Sequence, residues 1–146
     1  IRIARKDSGQ VGLPEVTLGV LPGTGGTQRL VRLVGKSKAI QLMTEGSTFG
    51  FDQALELGIV NEIYDHEEDD AFLAAVLDYA AKFTTPGKAN KAVGLIKRSA
   101  QTGSEIPFEL ALTLERELQA QLFASLDAKE GLDAYVEKRK PEFKGR

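Results

Sequence analysis

Along the first 65 residues the spacing of apolar and polar positions changes several times, and beyond them it settles to the helical period. Ile1-Arg2-Ile3-Ala4-Arg5 alternates apolar and charged residues and predicts a strand with one buried face. Lys6-Asp7-Ser8-Gly9 reads as a turn. Residues 11–13 read as a short extended piece, because Pro14 restrains the residue before it to extended backbone. Between Gly19 and Gly26 four of eight positions are glycine. In a helix interior each would cost about 1 kcal/mol relative to alanine, so the segment is a loop. Its backbone must turn tightly or approach something closely.

Helical spacing begins near Thr27, with Leu30, Val31, Leu33 and Val34 apolar and Gly35 as the stop. Ser37 is expected to cap a second helix reaching about Glu45, and Asp52 a third over residues 53–57 that ends at Gly58. Residues 59–64 read as a strand. From Glu67 onward every segment is helical: residues 67–83, 88–102, 107–125 and 127–138, with Pro141 limiting any continuation. The organisation is α/β over residues 1–65 and helical over residues 66–146. Two or three short strands are marginal as a free-standing sheet. That, with a first residue Ile1 in place of Met, leads us to expect that the front part belongs to a larger sheet with chain upstream.

Of the 146 residues, 42% are hydrophobic, enough for a core and too many for a disordered chain. No run approaches the roughly 20 apolar residues of a membrane span, and residues 1–6 carry no signal-peptide pattern. The absence of cysteine excludes disulfides and thiolate metal sites. His66, the single histidine, lies in the acidic run 65–70 and reads as a solvated loop residue, so no metal site is expected. The net charge of −2 is unevenly spread: residues 41–80 hold ten acids and no Lys or Arg, whereas the last nine residues hold five bases and one acid. A basic end can meet the phosphates of a nucleic acid or a nucleotide-like ligand, but on charge alone it reads as a solvated tail.

The glycine-rich segment is not a phosphate loop. Gly35-Lys36-Ser37 ends like a Walker A motif, but Leu30 stands where its first glycine belongs, and Gln28 breaks the dinucleotide-binding glycine pattern. What remains is a loop of backbone N–H groups leading into a helix N-terminus, an end that favours negative charge. Glu15 lies eight residues before Gly23. Set among Leu13, Val16, Leu18 and Val20, its carboxyl is expected to lose part of its hydration, which suits it to passing protons near neutral pH. The residues alone favour a surface glutamate in a turn after Pro14.

Gly12-Leu13-Pro14-Glu15-Val16-Thr17-Leu18-Gly19-Val20-Leu21-Pro22-Gly23-Thr24-Gly25-Gly26-Thr27-Gln28-Arg29-Leu30 resembles the signature of the crotonase family, the acyl-CoA group that includes the enoyl-CoA hydratases. Ala54-Leu55-Glu56-Leu57-Gly58-Ile59-Val60-Asn61 and Ala134-Tyr135-Val136-Glu137-Lys138-Arg139-Lys140-Pro141-Glu142-Phe143 resemble later segments of the same family, in order. The resemblance implies a partial ClpP/crotonase-like spiral α/β fold. Residues 1–65 would be the C-terminal part of its core, and residues 66–146 its helical region for oligomerisation and coenzyme A contact. It implies hydration of 2-enoyl-CoA thioesters. Glu15 would deliver a proton to the α-carbon, the Gly23 N–H would help hold water and substrate, and Tyr135 and Lys138 would contact coenzyme A. No metal or redox cofactor is implied, coenzyme A being the carrier of the substrate. The implied partners are an acyl-CoA and further copies of the chain in a trimer or hexamer, not a nucleic acid. The implied compartment is the cytoplasm or the mitochondrial matrix, the cytoplasm for a bacterial source. The family's second catalytic glutamate and both oxyanion-hole N–H groups fall upstream of the part matched here. The chain alone is therefore expected to lack a complete hydratase site. Isomerase, thioesterase and dehalogenase members share the fold, and a glutamate at position 15 favours hydratase or isomerase. A non-catalytic assembly module built on the helical half is the alternative of another class.

Overall fold

In the computed structural model, which describes residues 1–146, the alternating start forms β1 (Ile3–Arg5) with Ala4 buried. It pairs in parallel with β4 (Glu62–Tyr64), Ala4 opposite Ile63. Asn61 extends the pairing: its N–H donates to the Arg2 carbonyl at 2.8 Å, and its Oδ1 accepts from the Arg2 N–H at 2.7 Å. Parallel strands need a long crossover, which here consists of α1 (Gly26–Val34), α2 (Lys36–Glu45) and α3 (Phe51–Glu56). A second, antiparallel pair joins β2 (Val11–Gly12) to β3 (Thr48–Phe49). Position 12 must be glycine, since a Cβ there would lie 2.6 Å from the Ser47 carbonyl oxygen. The four strands thus form two separate two-stranded sheets.

Three local expectations change. The strand read over residues 59–64 shortens, because the Ile59 and Val60 N–H groups both turn back to the Ala54 carbonyl (2.8 and 3.2 Å) and close the end of α3. Ser37 does not cap α2. Gly35 does, since the residue that ends α1 also opens α2: its N–H donates to the Val31 carbonyl and its own carbonyl accepts from Ala39, both at 3.0 Å. Asp52 does not cap α3 either, because Gly50 holds that position and Asp52 sits in the first turn. There its charge suits the positive end of the helix.

Ala4, Leu42, Phe49, Ala54 and Val60 form a buried cluster, with Val11, Leu30, Val34, Phe51, Leu57, Ile59 and Ile63 packed against it. Part of the acidic run is paired beside this cluster, Lys6 with Asp65 at 2.7 Å and Arg5 with Asp69 at 3.3 Å. These exposed pairs are each worth little.

The chain divides into two compact units, Ile1–Val76 and Leu77–Arg146, the division falling inside α4 (Asp69–Ala81). In the second unit α5 (Asn90–Gly103) packs on α6 (Phe108–Phe123), and α6 on α7 (Leu126–Val136). Leu118 and Ala134 are buried there. The predicted start of α7 at Asp127 moves to Leu126. Ser125 is the cap, its hydroxyl accepting from the Ala128 N–H at 3.1 Å. No helix is long and apolar enough to cross a membrane.

Candidate functional site

Glu15 opens a single 3-10 turn, Glu15–Leu18, which the sequence pattern did not indicate. Pro14 brings a fixed φ to the entry of the turn. The Pro14 carbonyl then accepts both the Thr17 N–H (2.9 Å) and the Thr17 hydroxyl (2.7 Å). Gly19, at φ 72°, ends the turn with its N–H on the Val16 carbonyl at 3.0 Å. The backbone carrying Glu15 is therefore tied at both ends by local bonds.

The Glu15 side chain is half-buried, and its Oε2 is fully buried without a hydrogen-bond partner. Burial on this scale is what the sequence leads one to expect, but its source differs. Val16, Leu18 and Val20, thought to desolvate the carboxyl, are themselves 43%, 79% and 57% exposed. Leu13 points elsewhere, towards Gly26, where an added Cβ would stand 3.5 Å from its methyl carbons. A buried carboxylate oxygen without a partner is uncommon in folded proteins and invites an explanation.

The glycine-rich loop continues from the turn. Thr24 and Gly25 both take left-handed backbone, φ 52° and 93°. This bends the chain so that the Gly26 N–H reaches the Gly23 carbonyl at 3.0 Å and the Thr27 N–H the Pro22 carbonyl at 3.4 Å. Arg29 reaches back from α1 to the Thr24 carbonyl at 3.3 Å. Pro22 is buried, whereas Gly23 is exposed and a side chain there would meet nothing within 4 Å. The turn uses the Gly23 carbonyl, not its N–H.

Tyr135 and Lys138 stand together at the C-terminal end of α7, in the second unit. Tyr135 is 84% exposed, and Lys138 is exposed with a left-handed φ of 56°. At Lys138 the chain reverses, and the basic end does not trail free. The Arg139 guanidinium straddles the Glu130 carboxylate at 2.6 and 2.9 Å and also meets Glu137 at 2.6 Å. The Glu142 N–H donates to Glu130 at 2.8 Å. Hydrogen bonds from Arg139 and from that N–H hold the Glu130 carboxyl down from 4.5 to about 2. Further on, the buried Asp127 carboxylate accepts from the N–H groups of Lys144 and Gly145, both at 2.7 Å, while its own N–H donates to the Arg146 carbonyl at 2.9 Å. The Phe143 ring lies against Gly131 and lines an apolar cavity of 320 Å³ with Leu122, Phe123 and Leu132.

The family profile described as enoyl-CoA hydratase/isomerase matches residues 1–146. The chain belongs to that family. It is 40% identical over 145 residues to a probable enoyl-CoA hydratase of Bacillus subtilis, covering 99% of this chain and 54% of that one. It is 39% identical over 142 residues to a crotonyl-CoA hydratase of Syntrophomonas wolfei, covering 97% and 52%. The solved enoyl-CoA hydratase of Geobacillus kaustophilus superposes with a TM-score of 0.90 at 44% identity, covering 100% of this chain and 53% of that one. The fold is therefore part of the crotonase fold, and the chain spans about half the length of the curated relatives it matches.

Within this family member, Glu15 and Gly23 lie on one continuous segment of the first unit, and Tyr135 and Lys138 on one helix end of the second. Sequence reasoning missed the carboxylates of Asp127 and Glu130, which hold the basic end. Glu130 and Arg139 are nine residues apart, a spacing that no helix brings together. Only the reversal at Lys138 does so, and a lysine carries no signal for left-handed backbone.

Proposed function

We propose that this chain contributes to the hydration of 2-enoyl-CoA thioesters, with Glu15 as a proton-transferring carboxyl. The observation that carries the reading is the buried, unpartnered Oε2 of Glu15, on a turn fixed at both ends and followed directly by the glycine-rich loop. A protonated carboxyl at that oxygen donates its proton to the substrate α-carbon while the hydroxyl of a water bonds to the β-carbon, the water's remaining proton passing to the second carboxylate that the family resemblance implies. The two together add one water across the double bond. The Gly23 N–H, which the turn does not use, serves to hold water or substrate, and no Cβ stands in the way of a close approach. Tyr135 and Lys138, exposed at the end of α7, contact coenzyme A, Lys138 through its charge. No resident cofactor enters this scheme. The hydratase names of the relatives support hydration over isomerisation, which the same carboxyl would also serve.

Two further parts of the reading concern context. The oxyanion donors and second carboxylate implied by the family resemblance have no counterpart assigned within residues 1–146, so these residues alone sustain no substantial hydration. Self-association through the helical half is favoured by Phe108, Leu110, Phe123, Leu126 and Leu132, which are 57–71% exposed on α6 and α7.

The test is crotonyl-CoA hydration, followed by loss of the enoyl thioester absorbance. In the natively produced protein Glu15→Gln keeps the circular dichroism spectrum and lowers turnover by about 10²-fold or more, the scale of general acid catalysis. Near-wild-type turnover would remove Glu15 from the chemistry. For a preparation verified by mass as residues 1–146, a rate within tenfold of an intact family enzyme would show that these residues hold a complete site.

A further inference from the structure

Lys138 combines two properties. It is a non-glycine residue in left-handed backbone, a conformation that persists only where the surroundings over-determine it. It is also exposed, with no side-chain packing of its own to enforce that conformation. What enforces it must lie on either side. The end of α7 closes around Lys138, the Lys138 N–H on the Tyr135 carbonyl (3.3 Å) and the Arg139 N–H on the Ala134 carbonyl (3.0 Å), the closure that commonly sets the residue after a helix in left-handed backbone. After Lys138 a single carboxylate takes over. Glu130, half-buried and about two turns back along α7, grips the Arg139 guanidinium with both oxygens and the Glu142 N–H with one. The residues one and four places beyond Lys138 are thus fastened to one point on the helix. Glu130 and Glu137 both bond the guanidinium of Arg139, so neither carboxylate is left to pair with the exposed Lys138 ammonium.

We infer that Glu130 and Arg139 are positioning residues for Lys138: their two-pronged ion pair fixes the chain reversal that presents the lysine, and thereby sets the affinity for the phosphate-bearing end of coenzyme A. This rests on the reading of Lys138 as a coenzyme A contact. The Glu130 carboxyl stays ionised through the neutral range, so the pair is intact wherever the protein would work. Arginine is needed for the grip, because only a planar guanidinium matches both carboxylate oxygens at once.

The inference makes a prediction opposite in sign to that of plain electrostatics. Glu130 is an anion close to a proposed phosphate contact, so removing its charge should tighten coenzyme A binding if charge alone mattered. If it positions Lys138, removing it weakens binding. The experiment uses the natively produced protein and measures coenzyme A affinity by calorimetry, and kcat and KM with crotonyl-CoA. The variants are Glu130→Gln, Arg139→Lys, Lys138→Ala and the Glu130→Gln/Lys138→Ala pair. Arg139→Lys keeps the net charge and loses the two-pronged geometry, together with the guanidinium's bond to Glu137. It also keeps the question answerable should Glu130→Gln fold poorly.

Each single variant is expected to raise the Kd and KM by about two- to fivefold, the scale of one exposed ionic contact, with kcat unchanged. The double variant is expected to be no worse than Lys138→Ala alone. With a crotonyl thioester of pantetheine, which lacks the nucleotide phosphates, Glu130→Gln and Arg139→Lys should match wild type. If Lys138→Ala weakens binding while Glu130→Gln tightens it and Arg139→Lys leaves it unchanged, the positioning role is overturned. Additive losses in the double variant overturn it too. If Lys138→Ala itself changes nothing, the coenzyme A contact on which the inference rests is what fails.

Discussion

Replacing Gly46 by alanine would place a methyl group against the turn that carries Glu15. Gly46 ends α2 with φ 63°, its N–H on the Leu42 carbonyl at 3.1 Å. A Cβ there would lie 2.7 Å from Val16 Cγ1, 3.3 Å from Thr17 Cγ2 and 3.8 Å from Pro14 Cα, three neighbours flanking Glu15 itself. Left-handed backbone costs a residue with a Cβ about 1–2 kcal/mol. Overpacking costs a further 1–3 kcal/mol or so where neighbours cannot yield. Val16 is 43% exposed, so the turn can yield outward. It then exchanges part of the clash for a displaced carboxyl. Gly19→Ala provides the control, since Gly19 has φ 72° but nothing within 4 Å of the added methyl, so only the backbone cost applies. In urea unfolding, Gly46→Ala is expected to lower the stability by about 1 kcal/mol more than Gly19→Ala, with the same denaturant slope. Crotonyl-CoA hydration in the natively produced protein should fall well below what the stability loss explains. Equal destabilisation by the two substitutions, with hydration intact in Gly46→Ala, would show that Gly46 does not set the position of Glu15.

The Glu130 grip on the basic end predicts a definite pH window. The folded-state pKa is lowered from 4.5 to about 2, so the ion pair contributes stability that is fully present above about pH 4.5 and is lost as pH falls through about 2. The Glu142 amide resonance should therefore hold its position from pH 7 to pH 4 and move only on approach to pH 2. A midpoint near 4.5 would show that the grip is not formed in solution. The exposed apolar residues of α6 and α7 predict self-association, and a strictly monomeric light-scattering mass at tens of micromolar would refute it.

The helices were legible because their signal is repeated. Over α1 the apolar residues recur at Leu30, Val31 and Val34, and Gly35 then stops the pattern; over α6 they recur through Leu118. Boundaries were less legible where one residue serves two elements, as Gly35 does between α1 and α2, leaving Ser37 inside the helix it was expected to cap. β3 was not legible at all, since two residues cannot display a period. Its place is set by the close approach of Ser47 to Gly12, which are far apart in the chain.

Glu15 shows why the candidate site was only half legible. The residues predicted a desolvated carboxyl from its apolar flanks, and the carboxyl is indeed half-buried with one oxygen enclosed. Yet Val16 and Leu18 face solvent, because a 3-10 turn carries successive side chains around its axis and does not alternate them across a strand. The pattern gave a correct outcome through a mechanism the fold does not use, and only the motif resemblance marked Glu15 as more than a surface glutamate. The C-terminal end presents the converse case. Five bases in nine residues suggested a solvated tail. Composition cannot reveal that Asp127 and Glu130 hold the backbone of that segment through its N–H groups, because every residue except proline offers the same donor. What distinguishes such a segment is where it meets its acceptors. That depends on the reversal at Lys138, a property of the folded chain and not of the residue type.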